Sequence, residues 1–303
     1  MRVRSHAKVN LDLRVLGRRA DGFHELRTVF HTISLADTLG IAFQRSRTAT
    51  RVTVQSDVDI PGENLITRSA DAVLSALGIR ANVEVNLNKR IPMGGGLGGG
   101  SSNAAAMLQA LPALAGKLLP PERLLEIAAA LGSDVPFFLE GGAAVALGRG
   151  TELYPLPEMR PWPLLLVAPA LHVSTAEAYT ALGRGLTSDC NTCDIMSFQS
   201  CVRALSEPPG KYGWPCVNEF EPAVFSRYPL LKSIKEALLR AGARPALMSG
   251  SGSTIFGIFP DRAARDRAWR RMGVPESAGK VFRASLVTRR AYQRQWARQL
   301  DRQ

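Results

Sequence analysis

The order of hydrophobic and polar residues predicts strands in the first part of the chain. Residues 7–16 alternate apolar and polar side chains, as in a strand with one buried face. Further strand-like runs cover residues 27–35, 39–44, 51–55 and 83–88, and a glycine-punctuated loop is expected at residues 17–25. Because strand follows strand directly, the pattern favours antiparallel pairing.

Apolar residues at helical spacing lie between and after these strands. Residues 64–77 carry apolar side chains at intervals of three and four, and Gly78 follows as a stop signal. Further helices are predicted at residues 102–114, 121–131, 175–183, 230–241 and 261–272. Four prolines crowd residues 155–163, where we expect a domain boundary, whereas residues 184–216 lack periodicity and predict a loop-rich insert or crossover. The mixture indicates an α+β fold.

Composition is that of an ordinary globular protein, with 303 residues, 46% of them hydrophobic and 21% charged. No run of 18 apolar residues and no apolar leader is present, so we expect a cytoplasmic protein without a membrane span. The cysteines are Cys190, Cys193, Cys201 and Cys216. Cys190 and Cys193 have the spacing of half a zinc site, but no second pair follows. We therefore expect reduced thiols in an irregular surface segment.

The net charge of +12 suggests a polyanionic partner. Residues 262–303 hold 12 Arg and Lys against 3 acidic residues, so most of the excess lies in this tail. Its arginines recur at about helical spacing and predict a basic terminal helix: Arg289, Arg290, Arg294, Arg298 and Arg302. A solvated face is the favoured interpretation, with nucleic-acid or membrane contact as the alternatives.

A glycine-rich loop at residues 92–106 carries the strongest chemical signal. Six of the nine residues from Pro92 to Gly100 are glycine, and a helix follows. Glycine lets backbone N–H groups converge on an anion, and a helix N-terminus adds its positive dipole end. Ser101 and Ser102 add hydroxyls for a phosphate oxygen or a metal ion. The loop is therefore interpreted as a phosphate cradle, with a glycine-rich turn that binds nothing as the alternative.

Two better-known phosphate motifs fit this loop poorly. A P-loop requires a lysine after its glycines, and none follows here. The dinucleotide pattern is met by Gly94, Gly96 and Gly99, but no acidic residue occurs between Gly94 and Glu122. A second glycine segment, residues 248–254, precedes an apolar strand at Ile255–Phe259. It is either a flexible turn or the second wall of the same cleft.

Three segments together resemble the motifs of the GHMP small-molecule kinases. They are residues 7–11 with the loop Arg19-Ala20-Asp21-Gly22-Phe23-His24-Glu25, residues 92–105, and residues 249–253. The resemblance implies an N-terminal domain like ribosomal protein S5 domain 2 over residues 1–157. It also implies a ferredoxin-like α/β domain over residues 158–303, with the active site in the cleft between them. The implied activity is ATP-dependent phosphorylation of the 2-hydroxyl of a cytidine diphosphate sugar alcohol, in the non-mevalonate route to isoprenoid precursors.

The resemblance also assigns residues to roles. Lys8 and Asp134 would be the catalytic pair. The substrate would lie near Asn10, Phe23, His24, Tyr179, Ser249, Gly250, Ser251 and Gly252, where Phe23 replaces the tyrosine common in the family. ATP would lie near Asn64, Pro92, Met93, Gly94, Gly95, Gly96, Leu97, Gly98, Gly99, Gly100, Ser101, Ser102 and Asn103. Mg²⁺ is expected from the phosphate chemistry, although no carboxylate stands out as its ligand.

Other interpretations remain open at this point. Without the motif context, Lys8 would be an ordinary exposed lysine, and Asp134, before Val-Pro, a helix-terminus residue. The expected partners are ATP and the cytidine diphosphate sugar alcohol, with no nucleic acid or membrane, in a monomer or homodimer. The alternative functions are a kinase for mevalonate, homoserine or galactose, an RNA-binding protein, and a dinucleotide oxidoreductase, which the missing acidic residue weakens.

Overall fold

The computed structural model describes residues 1–60, 64–183, 192–210, 213–272 and 279–300. The first half contains β1 (Arg2–Arg18), β2 (His24–Arg45), β3 (Arg51–Ser56), α1 (Leu65–Leu77), β4 (Ala81–Asn88), α2 (Gly99–Ala115), α3 (Pro121–Leu131), α4 (Phe137–Glu140), β5 (Ala143–Gly148) and β6 (Glu152–Pro155). The second half contains β7 (Pro163–Pro169), α5 (Thr175–Leu182), α6 (Thr192–Ala204), α7 (Glu221–Arg227), α8 (Pro229–Arg240), β8 (Ala246–Met248), β9 (Ile255–Ile258), α9 (Arg262–Met272), β10 (Gly279–Ser285) and α10 (Arg289–Leu300).

The first sheet has the order β3-β4-β2-β5-β6, with β1 paired to β2. Its pairs are antiparallel except β3 with β4, which are parallel. β4 alternates strictly between buried and exposed residues, so one face of this sheet packs inward. Helices α1 and α2 cover that face, and α2 buries an almost continuous run of small and apolar residues from Ser102 to Pro112.

The second sheet has the order β10-β7-β9-β8, and all its pairs are antiparallel. Numbered within the sheet this order is 4-1-3-2, with helices after the first and third strands, as in a ferredoxin-like fold. Every residue of β7 is buried, as expected for a central strand covered on both faces. The α+β fold class expected from the sequence is confirmed. None of the described helices is long and apolar enough to cross a membrane.

The basic terminal helix is present as α10, but only one of its faces is solvated. Tyr292 and Trp296 lie four residues apart and are buried in the core of the first sheet. Arg290 and Arg294 are exposed on the helix's other side, and Arg302 lies outside the described residues. The chain therefore returns to its first sheet after completing the second, so the division at residue 157 stays a prediction.

Predicted elements differ from the structure mainly at their ends. The runs at 27–35 and 39–44 belong to one strand, β2, and β1 and β2 extend into the predicted loop at 17–25, leaving a turn at residues 19–23. Helix α2 begins at Gly99, three residues before its predicted start. Helix α1 follows the prediction closely because its ends are capped. The Asn64 side chain accepts from the Ile66 N–H, and Gly78 adopts a left-handed conformation.

The expectation of a loop-rich, surface-lying segment at 184–216 is wrong for the residues described. Helix α6 spans Thr192–Ala204, and its Phe198 and Cys201, with Leu205 just beyond it, pack into the core beneath the second sheet. Cys201 and Cys216 are both buried, with their sulfur atoms 2.9 Å apart. A buried thiol behaves as a small apolar group. With Cys201 counted as apolar, the apolar residues Phe198, Cys201 and Leu205 follow at helical intervals of three and four. Cys190 and the side chain of Cys193 lie outside the described residues.

Candidate active site

A buried ammonium group and a half-buried carboxylate meet at the centre of the site. Lys8 lies in β1, and its Nζ is 3.3 Å from Oδ2 of Asp134, in the turn after α3. The Lys8 side chain is 5% exposed and the Asp134 side chain 30% exposed. A buried charge needs such a partner to offset its lost hydration. The interpretation of Lys8 as an ordinary exposed lysine is therefore wrong.

Asn10 connects this ion pair to the second glycine segment. Its Oδ1 accepts hydrogen bonds from Lys8 Nζ at 2.8 Å and from the Gly250 N–H at 3.0 Å. Its Nδ2 donates to Thr28 Oγ1 at 2.8 Å, which fixes the orientation of the amide. One side chain of β1 therefore joins a lysine two residues away to a backbone group 240 residues away.

The two glycine segments contact each other directly. Ser249 Oγ donates to the Gly96 carbonyl at 2.9 Å, and the Thr254 N–H donates to the Gly95 carbonyl at 3.3 Å. Gly96 has a φ of +74°, and a Cβ at this position would lie 2.0 Å from the Ser249 carbonyl oxygen. Only glycine permits both the conformation and the approach. The two segments therefore form adjoining walls, as one interpretation of the sequence required.

A cavity of about 350 Å³ opens beside the glycine loop. The predicted ATP residues that line it are Asn64, Pro92, Met93, Gly94, Gly95, Gly96, Leu97, Gly98, Gly99, Gly100, Ser101 and Asn103. Ser102 lies behind this lining, 2% exposed, and its Oγ has no partner among the described residues. Asn103 is also mostly buried and accepts a hydrogen bond from Ser5 Oγ.

The structure adds residues to this region that sequence reasoning missed. Lys89 lines the cavity, with its Nζ 2.5 Å from Asp37 Oδ2. Asn218 stabilises the second glycine segment, since its Nδ2 donates to the carbonyls of Met248 at 2.7 Å and Gly250 at 2.8 Å. No local pattern in the sequence around Asn218 indicates these distant partners.

Three aromatic side chains form a second part of the site. The rings of His24 and Tyr179 stack with centroids 4.2 Å apart, and Phe220 packs edge-on against Tyr179. Phe23 is 47% exposed, with the Arg149 guanidinium 3.6 Å from its ring centroid. Burial, followed by the charge of Asp134, raises the pKa of Tyr179 to about 12. Hydrogen bonds connect this group to the ion pair: the Phe220 N–H donates to Asn218 Oδ1, and Asn218 holds Gly250, whose N–H donates to Asn10.

The remaining predicted substrate residues all belong to the second glycine segment. Ser251 Oγ lies 2.9 Å from Thr175 Oγ1 at the start of α5. The Gly252 N–H donates to the Ser249 carbonyl at 3.0 Å, which closes a tight turn. Gly250 has a φ of +57° and Gly252 a φ of +98°. This turn directs the Gly250 N–H toward Asn10 and holds the segment against the glycine loop.

No carboxylate cage for a metal adjoins the glycine loop in the described part of the chain. Among all the described residues, one group of three potential metal ligands occurs, Asp12 with Cys201 and Cys216. Its Asp12 is already paired with Arg14 at 2.9 Å. Mg²⁺ usually keeps several waters and is held by substrate phosphates with one or two protein oxygens. The open cavity fits that kind of site, since the hydroxyl-bearing Ser101 lines it, whereas Ser102 is buried behind the lining.

Comparison with known families gives two matches. The model of the GHMP kinase N-terminal domain matches residues 64–142, and that of the GHMP kinase C-terminal domain matches residues 194–274. The first includes the glycine loop and Asp134, and the second includes the glycine segment at 248–254.

Individual proteins resemble the chain over nearly its whole length. A 4-diphosphocytidyl-2-C-methyl-D-erythritol kinase of Solibacter usitatus (strain Ellin6076) is 49% identical, with 99% of this chain and 92% of the relative covered. A solved structure of 4-(cytidine 5'-diphospho)-2C-methyl-D-erythritol kinase is 36% identical, has a TM-score of 0.78, and is matched over 94% of this chain and 99% of that one. A mevalonate kinase structure shares the fold with a TM-score of 0.66 but is only 12% identical, over 95% of this chain and 99% of that one.

Proposed function

We propose that this chain, a member of the GHMP kinase family and within it of the 4-diphosphocytidyl-2-C-methyl-D-erythritol kinases, is an ATP-dependent kinase. Its substrate would be 4-diphosphocytidyl-2-C-methyl-D-erythritol, a cytidine diphosphate sugar alcohol, phosphorylated on the 2-hydroxyl. The reaction would give the 2-phosphate and ADP, as a step of the non-mevalonate route to isoprenoid precursors. The observation that carries the proposal is the Lys8–Asp134 pair, 3.3 Å apart, in a fold that also holds the glycine-rich loop.

Different exposure supports different roles for the two charged groups. Asp134 is the more exposed partner and can reach a substrate hydroxyl, which its carboxylate would orient and deprotonate. Lys8 is held behind it by a hydrogen bond from its Nζ to Asn10 Oδ1. Its ammonium group also offsets negative charge on the transferring phosphoryl group. Phosphoryl transfer needs alignment and charge neutralisation more than covalent help, and this pair supplies both.

The glycine-loop cavity is the proposed ATP site. Loop N–H groups and the N-terminus of α2 would bind the phosphates, since both present unpaired donors to an anion. Mg²⁺, held by the phosphates with the cavity-lining Ser101 as a hydroxyl ligand from this chain, would neutralise phosphate charge. Asn64 already caps α1 with its side chain, so its contribution to ATP binding would be the shape of the cavity wall.

The aromatic group is the proposed site for the cytidine end of the substrate. Phe23 offers an exposed ring face on which a base can stack. His24 offers backbone and ring groups for hydrogen bonds to the cytosine edge. The nearby glycine turn at residues 249–252 would flank the diphosphate, with the Ser251 hydroxyl as a donor, because the N–H groups of Ser249, Gly250 and Gly252 are already donated within the protein.

The test is ADP release by the purified protein with ATP, Mg²⁺ and 4-diphosphocytidyl-2-C-methyl-D-erythritol. We expect turnover that Asp134→Asn reduces about 10²- to 10⁴-fold, the usual contribution of a general base. Lys8→Met should cause a loss of similar size. Asp71→Asn, an exposed residue of α1, is the matched control and should leave the rate unchanged.

Two results would overturn the proposal. One is full activity of both the Asp134 and the Lys8 variants. The other is a substrate panel in which mevalonate, homoserine or galactose is phosphorylated and the cytidine diphosphate sugar alcohol is not.

A further inference from the structure

A second cavity, of about 660 Å³, lies away from the glycine loop and shares no lining residue with it. It opens between the start of β1, the middle of β2, the residues after β4 and the last turns of α10. Four arginines line it: Arg2, Arg4, Arg90 and Arg298. The other lining residues are Met1, Ala36, Thr38, Gln295 and Gln299. We call it the arginine cavity.

The positive charge of the arginine cavity is not balanced by the described part of the chain. Among the described residues, no acidic side chain lines it, and none of its four arginines forms an ion pair. The Arg4 guanidinium donates to the Ser34 carbonyl at 3.4 Å, its one acceptor in the described part of the chain. Guanidinium groups stay protonated at any physiological pH. Four permanent cations therefore surround one space.

Asp37, which lies in sequence between the lining residues Ala36 and Thr38, is already used elsewhere. Asp37, one residue from the cavity wall, accepts the N–H groups of Arg90 and Ile91 on Oδ1, both at 2.8 Å. Its Oδ2 pairs with Lys89 at 2.5 Å. Asp37 therefore holds the Arg90 backbone in place but does not neutralise the Arg90 guanidinium.

Gln299 adds an unused donor to the same wall. The Arg4 N–H donates to Gln299 Oε1 at 2.7 Å, so the amide orientation follows from the backbone. The remaining Nε2 is buried without a partner among the described residues. An unsatisfied buried donor destabilises the fold, and an acceptor that reached it would remove this cost. The wall therefore supplies cations and a donor in excess of acceptors.

We propose that the arginine cavity binds a small organic anion that carries a diphosphate group. Arginine forks match phosphate oxygens in pairs, and four of them more than balance the about two to three charges of an organic diphosphate. The volume is in the range of sites that enclose small metabolites, which favours such a ligand over a nucleic acid.

The proposal also connects the two cavities. Lys89 lines the glycine-loop cavity and Arg90 lines the arginine cavity, and Asp37 binds the side chain of one and the backbone of the other. An anion drawn to Arg90 therefore acts on a segment that also forms the wall of the ATP site. Its binding should change the KM for ATP as well as occupy the cavity.

The test is calorimetric titration of the full chain with inorganic pyrophosphate, in the presence of a saturating non-hydrolysable ATP analogue and saturating 4-diphosphocytidyl-2-C-methyl-D-erythritol, which together occupy the proposed active site. We expect one pyrophosphate per chain, with binding weakened at least tenfold in Arg90→Ala/Arg298→Ala. Neither of these side chains makes a hydrogen bond or ion pair with a described residue, so the fold should persist, as a thermal scan would show. Should that double variant unfold, Arg90→Gln/Arg298→Gln serves the same comparison.

The matched control is Arg51→Ala/Arg262→Ala, which removes the same charge from two exposed positions outside the cavity. Equal weakening of pyrophosphate binding in both double variants would mean that only the net charge matters, and this would overturn the proposal. The absence of saturable pyrophosphate binding would overturn it as well. Tighter binding of a single-stranded RNA through the same arginines would replace the diphosphate with a nucleic acid. Because calorimetry requires no turnover, failure here is separate from failure of the proposed kinase activity.

Discussion

Replacing Gly96 by alanine tests whether the contact between the two glycine segments builds the site. Gly96 has a φ of +74°, and its new Cβ would lie 2.0 Å from the Ser249 carbonyl oxygen, where real Cβ contacts essentially never fall below 3.0 Å. The backbones must therefore separate by about 1 Å. Ser249 cannot move freely, because its Oγ donates to the Gly96 carbonyl and its N–H to Thr254.

The cost of this substitution follows from the same geometry. A left-handed conformation costs about 1–2 kcal/mol for a residue with a Cβ. Loss of the hydrogen bond from Ser249 to Gly96 adds about 1 kcal/mol. At about 2–4 °C per kcal/mol for a chain approaching this size, the melting temperature should fall by roughly 5–10 °C. A displacement of about 1 Å in a phosphate-transfer site should lower kcat about 10²-fold.

Gly78→Ala is the matched control. Gly78 also has a positive φ, +66°, but no atom lies within 4 Å of its added Cβ. This variant should therefore lose about 1–2 kcal/mol of stability and keep its kcat, measured by thermal scans and steady-state kinetics. A Gly96→Ala variant with wild-type kcat and melting temperature would refute the reasoning, because the cleft would then not depend on close contact between the segments.

Three further perturbations test other parts of the structure. His31 is fully buried, which lowers its pKa to about 4. The free energy of unfolding should therefore decrease as pH falls from 6.5 to 4, by about 1.4 kcal/mol per pH unit. The variant His31→Gln should show a smaller decrease over the same range. Asn218→Ala leaves the Met248 and Gly250 carbonyls without their donor and should cost about 1–3 kcal/mol in urea unfolding. The hydrogen bond to Cys216, with burial, raises the pKa of Cys201, so this thiol should resist labelling by a disulfide reagent until the protein unfolds.

Each of these outcomes has a result that contradicts it. A pH dependence of stability that is equal in wild type and His31→Gln would place the buried titration elsewhere. Unchanged urea stability in Asn218→Ala would mean that the second glycine segment holds its shape unaided. Labelling of Cys201 at the rate of a free thiol in the native protein would show that α6 opens readily.

The sequence predicted what depends on neighbours along the chain. The 3.6-residue periodicity and its stop at Gly78 determine α1, and the bounds of α3 were predicted correctly as well. The glycine loop was also predicted from the sequence, because so many glycines so close together are needed only where the backbone adopts special conformations or approaches another group closely. Alternation is local too, yet it could not show that the runs at 27–35 and 39–44 form one strand, since the core determines where a strand bends.

Contacts between distant residues were decided by the tertiary structure alone. Lys8 and Asp134 meet because β1 and the turn after α3 pack together, and Asn10 reaches Gly250 only across the two sheets. The arginine cavity likewise combines four stretches of chain that no local pattern connects. Hydrogen bonding within an element repeats at short, fixed intervals, whereas the distance between two elements depends on how every buried side chain between them packs. Local structure and motif were therefore determined by the sequence as written, and the pairing of charges by the fold.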